Sequence, residues 1–596
     1  MFRRVEATIE PDPSYPADLK ALGFFINSIG HIRMMEAPEK EYVFHSTNNE
    51  RVNELRREAM QECSRQETEK RLASLGINRI YLPDFTTTRP SGPHVPILAP
   101  APEILKSRKR IIVIVNDAIQ DLGILAYRQM QRELGINGAS TVNLVKQTIK
   151  RSTTGSATAK YENIFDDGVG IKDQSDTPAL VVLNTGQLLY SHKHNKAMTL
   201  RSWSAMPRKS IAHDMIRIHE EENRVPGHRD PKEHIKSVFD TVLCTPHRVS
   251  PDAEIYVIAI EGGTDSLLSV LGEDFDKYGS RITGMALIHS LIDNSQIKNA
   301  TLRTFLHQRA REWRYSDLTN NPEHCTELPE GYYEDIRNNL TGTVSTPPRI
   351  TGHIDWNENV PRATIVSSIT TAMHRLIISA TSSKKEDPPS TTPDESSDWS
   401  TGQAAICPTF AGGPESTGEC ILTNPAVQNA VLKFFEEVAQ DPQNYHNLDL
   451  RTYTQAPQPT ADKPLVLDPN NPNVAGFSAL PAEMTPEQAE LDMVKEKLVQ
   501  MEIALKACPS NVPNLASGRK SLVDKIAKHE VKMEKLQKKA LASGGLKAGE
   551  ASEQRENWKP QKEGPKVEFA GTMVDSELLK AAGLEETADE ELAKLL

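Results

Sequence analysis

Four runs of aliphatic and β-branched residues, apolar at every position rather than at every second one, constrain the core this chain can build. They are "RIIVIVN" from Arg110, "ALVVLNTG" from Ala179, "EIYVIAIEGG" from Glu254 and "RITGMALIHS" from Arg281. A strand with one wet face alternates in polarity. A strand apolar throughout is covered on both faces, as in a parallel sheet. Helical patterns fill the intervals, at 121–134 ("DLGILAYRQMQREL") and 230–243 ("DPKEHIKSVFDTVL"). In the second, Asp230 is an N-cap, Pro231 takes the first helical position and Glu233 the third. Strands alternating with helices predict an α/β sandwich with a mostly parallel sheet.

The chain has 596 residues, too many for one ordinary core, and its hydrophobic fraction of 38% is low. Folded units separated by linkers are therefore expected. Residues 1–345 read as the α/β domain, including a long charged helix over 49–76 that ends at a glycine. Residues 346–483 read as mostly disordered linker, typified by "TSSKKEDPPSTTPDESSDWSTG", with one short, isolated amphipathic helix near 424–442. Residues 484–545 read as an antiparallel helical hairpin. Thr485, Pro486 and Gln488 make its capped start, and Leu491, Val494, Leu498, Met501 and Leu505 recur at three- and four-residue steps. An answering stripe runs Leu515, Leu522, Ile526, His529, Met533 and Leu536, with His529 read as a seam residue rather than a ligand. Residues 546–596 read as a polar tail with one short helix pattern near its end.

The strand-to-helix turn at 259–263 carries the most chemical information. In α/β hydrolases this layout presents the nucleophile as G-x-S-x-G. Here the turn reads Ala259-Ile260-Glu261-Gly262-Gly263, with a glutamate in place of the serine. The glycine pair fits a turn with no room for side chains beside it. A carboxylate nucleophile needs an oxyanion hole and a histidine that activates water. The partners do not assemble in the order nucleophile, acid, histidine. His289 stands at the end of the following strand, where the acid belongs, and His307 and His324 lie further on without a strand-end context. The oxyanion segment would be "VNDAIQDLG", whose Asp117 is a poor neighbour for a developing negative charge. The reading is a degenerate elbow of Glu261, Gly262 and Gly263, with His289 as its candidate partner. The alternative is an α/β hydrolase with Glu261 as nucleophile.

Other candidates carry less. His192 and His194 lie in a loop, and His219, His228 and His234 stand among acids without H-E-x-x-H spacing. They read as solvated loop residues, and no metal or cofactor is expected. Six cysteines without C-x-x-C spacing suggest neither a disulfide framework nor a zinc knuckle. Reduced thiols in the nucleus or cytoplasm are the expectation. Neither a secretory leader nor a membrane span is predicted, so the sequons at Asn299 and Asn339 carry no weight. The net charge of −12 argues against wholesale nucleic-acid binding. Three local patches keep RNA open as a weak ligand: "ILKSRKRIIV", whose basic cluster reads as capping and solvating the entry of a buried strand, the basic second helix of the hairpin, and Arg309, Arg311 and Trp313 in "HQRAREWRYSD". For the last, pairing with acids on a helix face is the preferred reading.

The stretch from about Tyr15 to Trp313 resembles the Argonaute-binding-protein-two (Arb-two) domain family. The segments that carry the resemblance come in family order. They are "YPADLKALGFFINSIGHIRMM", "NNERVNELRREAM", "GPHVPILAP", "KRIIVIVNDAIQDLGILAYR", "DPKEHIKSVFDTVL", "EIYVIAIEGGTDSLLSVL" and "LHQRAREW". The family includes a fungal Argonaute small-interfering-RNA chaperone subunit and a domain at the C-terminus of some class II histone deacetylases. The resemblance implies an α/β-hydrolase-like fold, and some relatives keep a serine at the elbow where this chain has Glu261. It also implies a non-catalytic scaffold or adaptor in small-RNA or heterochromatin silencing, with Argonaute or chromatin-silencing subunits as protein partners.

Overall fold

A computed structural model of the chain describes residues 11–152, 161–166, 169–171, 177–210, 213–333, 404–448, 450–453, 486–542, 566–569 and 572–575. The expected linker residues 346–403, the hairpin cap at Thr485 and the helix pattern near the C-terminus lie outside them. Contacts divide the chain into one unit of residues 1–465 with 504–522, and a second of 466–503 with 523–596.

The strands of the first unit are β1 (Phe24–Ile26), β2 (Ile32–Met34), β3 (Asn78–Leu82), β4 (Val95–Ala99), β5 (Arg110–Val115), β6 (Ala179–Val182), β7 (Leu189–Ser191), β8 (Lys196–Met198), β9 (Glu254–Ile260), β10 (Ile282–Ile288), β11 (Ala310–Arg314), β12 (Cys325–Glu327) and β13 (Thr409–Ala411). Its main helices are α1 (Glu50–Ser74), α2 (Thr141–Ser152), α3 (Pro231–Val238), α4 (Gly262–Glu273), α5 (Ala300–Arg309), α6 (Gly418–Thr423) and α7 (Pro425–Val438). Nine strands form one sheet in the order β12-β13-β11-β10-β9-β5-β6-β4-β3. From β13 to β6 all neighbours are parallel, while β4 runs antiparallel to both its neighbours and β12 closes the far edge antiparallel to β13. An antiparallel second strand and a sharp turn after the central β9 make this an α/β-hydrolase-like sheet.

The continuous apolar runs have the expected cause. Along β9, Ile255, Val257 and Ala259 join the core on one face, with Ile235 of α3 and Leu267 of α4. Tyr256, Ile258 and Ile260 join the core on the other, with Val142 of α2 and Val431 and Phe434 of α7. Both faces are therefore dry, and fully burying each such side chain contributes about 1.5–3 kcal/mol. Helix α3 starts as its sequence dictates, with the Asp230 side chain accepting from the Glu233 N–H at 2.9 Å.

Two expectations change in this first unit. Of the helix expected over 121–134, only Tyr127–Gln131 is helical. Gly123 sits at φ +80, and Asp121 is drawn inward by Arg65, Tyr127 and Gln187, which all donate to its carboxylate. The segment 404–453 is not linker, and the helix near 424–442 is not isolated. Strand β13 pairs parallel to β11, with Phe410 opposite Trp313. Trp313, 1% exposed, stacks on Phe410 at 5.7 Å between ring centroids. Helix α7 lays Phe435 against Tyr256 at 5.0 Å. Asn447 then donates through its amide to the carbonyls of His307 and Ala310, each at 2.9 Å.

Residues 504–522, in the turn of the helical pair, belong to this first unit: the Ser28 N–H donates to the Ala507 carbonyl at 3.1 Å. The helices themselves are α8 (Pro486–Ala507) and α9 (Ala516–Ala542). Within the second unit, Leu491 and Val494 of α8 pack with Met533 and Leu536 of α9, and Lys532 pairs with Glu490 at 2.8 Å. These contacts join the start of α8 to the end of α9, so the pair is antiparallel. The tail contributes a two-stranded ribbon, β14 (Lys566–Phe569) and β15 (Thr572–Asp575), where only a polar tail was expected.

Candidate functional site

The elbow forms as its sequence requires. Glu261 sits at φ 46, ψ −123, a conformation that costs a non-glycine residue roughly 1–3 kcal/mol. Neighbouring strands hold it there, with the Glu261 N–H donating to the Ile288 carbonyl at 3.0 Å. A Cβ on Gly263 would lie 2.4 Å from the Asn116 carbonyl oxygen and 2.6 Å from that of Val115. One on Gly262 would lie 2.8 Å from Asp117 Oδ2. The glycine pair is therefore fixed by the close approach of α4 to the end of β5.

The first oxyanion donor of a hydrolase is the N–H that follows the nucleophile. In this chain that group belongs to Gly262, and it donates to Asp117 Oδ2 at 3.0 Å. A carboxylate already occupies the place where negative charge would have to develop. The loop after β5 supplies it, and the Ile119 N–H fixes Asp117 from the other side at 2.8 Å.

The remaining partner comes from a segment read as linker. Residues 412–424 follow β13, the last parallel strand, and contain no histidine. Instead, the Gly418 N–H donates to Glu261 Oε1 at 2.5 Å. A Cβ on Gly418 would lie 2.7 Å from Glu261 Cγ and 3.1 Å from His289 Cβ. Gly418 thus wedges between the two residues that sequence reasoning paired. The structure gathers Glu261, Gly262, Gly263 and His289 at one place, with a backbone strap between Glu261 and His289. His289 stands at φ 53 after β10, and its half-buried ring leaves Nδ1 without a hydrogen bond among the described residues. Burial lowers its pKa and the Arg314 charge adds to this, while Glu312 opposes them.

Next to Gly418, the half-buried Glu419 carboxyl takes the Gln120 amide. Burial, then the charges of Glu261 and Asp117, push its pKa up to about 7 against the pull of Arg201. Asp265, one turn into α4, is raised by burial and by the charges of Asp117 and Glu312. Among the described residues no group of three or more His, Cys, Asp or Glu side chains is arranged to hold a metal ion. Glu419 and Gly418 were missed because they follow a long polar stretch. The glycines at 412, 413 and 418 are local signals of a tight path and close approach.

The other candidates disperse. His307 is buried near the N-terminal end of β11, across the sheet from the elbow, and His324 stacks on Tyr453 at 4.2 Å. His192 meets the Glu222 carbonyl at 2.7 Å. His228 and His234 are buried rather than solvated, and share a hydrogen bond of 2.9 Å between their Nδ1 atoms. The Asn184 N–H donates to His234 Nε2 at 3.0 Å, so His234 carries its proton on Nδ1 and donates it to His228. The supposed RNA patch is consumed internally. Arg309 donates to the Pro442 and Gln443 carbonyls, each at 2.9 Å. Arg311 donates to Glu437 at 2.8 Å and lies 4.5 Å over the Phe434 ring, and Trp313 is enclosed.

Among the described residues no helix is long and apolar enough to cross a membrane. A model of the Arb2 domain family matches residues 15–319, just over half of the chain. No curated protein and no solved structure matches it.

Proposed function

The chain belongs to the Arb2 domain family, and from that premise we propose that its hydrolase-like unit is a non-catalytic scaffold or adaptor serving Argonaute- or chromatin-linked silencing. One observation supports the loss of chemistry above the rest: the Gly262 N–H is spent on Asp117. Removing a single oxyanion donor costs about 10²–10³ in rate, and here a negative charge replaces the donor. The Gly418 strap further fills the space between Glu261 and His289, where a water would have to be activated. An adaptor acts through its surfaces, and the family resemblance names protein partners of the silencing machinery, in the nucleus or cytoplasm. The test is affinity purification of the tagged full chain at native level, followed by mass spectrometry. Recovery of Argonaute or chromatin-silencing subunits supports the reading. Their absence, together with turnover of an ester, epoxide or haloalkane that Glu261→Gln abolishes, would replace it with the hydrolase alternative.

A further inference from the structure

Residues 413–419 enter the elbow from the end of β13 and leave it through α6. Their two ends differ from their middle. Ala411, Gly412 and Ile421 are buried, whereas 414–417 are exposed. Gly413 sits at φ 90, a conformation open to glycine at little cost, so it provides a pivot. The strap is held down at two adjacent points. The Gly418 N–H donates to Glu261, and the Glu419 carboxyl meets Gln120. The second point is unusual, because it places a carboxyl group beside two others presented by different elements, Glu261 from the elbow and Asp117 from the loop after β5. The positive group facing it is Arg201, from the helix Leu200–Ser204. On the strap itself Glu415 adds further negative charge nearby, and Cys420 is a neutral neighbour.

We propose that residues 413–419 are a pH-sensitive latch over the elbow, closed while the Glu419 carboxyl is protonated and loosened when it ionises against Glu261 and Asp117. A protonated carboxyl tolerates two carboxylate neighbours, while an ionised one is repelled by both and has lost solvent as well. The sign follows from linkage. Closed, the group has a pKa of about 7, and free it returns towards 4.5. The closed state therefore binds the extra proton between those values, and its advantage falls as pH rises through that window and levels off above it. From pH 5.5 to pH 8 the opening equilibrium should rise about 30-fold. Opening releases the Gly418 N–H and leaves Glu261 accessible, so the elbow would be covered in acidic and uncovered in alkaline surroundings.

The readout is the backbone amides of 413–420 in the full chain, followed by hydrogen exchange at pH 5.5 and pH 8 and corrected for the intrinsic dependence on pH. Protection at these amides should drop about 30-fold at pH 8, while β9 and β10 peptides keep theirs. Glu419→Gln, a neutral isostere, should hold pH 5.5-like protection at pH 8. Asp117→Asn, which removes one repelling neighbour, should make the loss smaller and complete it at lower pH. The proposal is overturned if the strap's corrected protection changes no more than that of β9, or if Glu419→Gln loses protection with pH as the native chain does.

Discussion

The carboxylate of Asp117 accepts a hydrogen bond from the Gly262 N–H at 3.0 Å. Two residues 145 positions apart in the chain thus close the one donor an acyl-transfer reaction would need first. Installing a serine at the elbow should therefore not restore activity. Glu261→Ser should hydrolyse a short-chain nitrophenyl ester no faster than buffer. Adding Asp117→Gly would free the N–H, and the double variant should still lack turnover, because residues 412–424, which follow β13, hold no histidine. A rate 100-fold above background in the single variant would show that the hole works despite Asp117.

Two glycines of helix α4 should respond to alanine in opposite directions. At Gly263 the new methyl would meet the carbonyls of Asn116 and Val115 at 2.4 and 2.6 Å, both backbone atoms. Gly263→Ala should cost about 2–3 kcal/mol or prevent folding. At Gly272 the nearest atom is 4.0 Å away, and Gly272→Ala should add about 0.5–1 kcal/mol by restricting the unfolded chain. Urea titrations of both variants measure the pair.

The segment 404–453 should behave as part of the α/β unit. A chain ending at residue 345 lacks β13 and α7, which leaves Trp313 and Tyr256 uncovered, and should be recovered as aggregate. Phe434→Ala should cost about 3–4 kcal/mol. Residues 381–402 carry almost no apolar surface to bury, so limited proteolysis should cut there first. The two products should then co-elute on gel filtration, and separation under native conditions would contradict this account.

The His228–His234 pair should make the fold acid-sensitive. Burial lowers the His228 pKa to about 4 from 6.5, and it lowers His234 further, with the His228 charge assisting. Groups with depressed folded pKa values contribute fully above about pH 6.5 and lose that contribution as the unfolded chain takes up protons below it. For His228 alone the loss approaches about 3 kcal/mol by pH 4. His228→Gln should flatten the fall of melting temperature between pH 6.5 and 4.5. An unchanged slope would place the acid sensitivity in the carboxylates instead.

The parts of the fold legible in the sequence were those whose cause is local. The runs at β5, β6, β9 and β10 are apolar throughout because both faces are covered, and the boundaries of α1 and α3 follow from their caps. The glycine pair at the elbow signals a tight approach by itself, and its neighbour is the end of β5. Strand β11 hid because "AREWR" puts Arg311 and Arg314 within a buried strand. Their charges are met by Glu437 and Glu312, and no local pattern announces a partner 126 residues away. Strand β13 hid for a related reason: three residues after a long polar stretch give no periodicity, and only the pairing with β11 makes them a strand. The strap's role at the elbow depends on that pairing and was invisible with it.

The late arrival of β13 also bears on how the protein is made. That strand starts about 95 residues beyond the end of β11, and ribosomes add about 5–20 residues per second. For some five to twenty seconds after β11 emerges, the growing chain carries Trp313 and an unfinished sheet edge with nothing yet synthesised to cover them. Such an edge attracts other strands. This protein should therefore lean on ribosome-associated chaperones during that interval, and slow codons placed in the polar stretch between the two strands would lengthen its exposure.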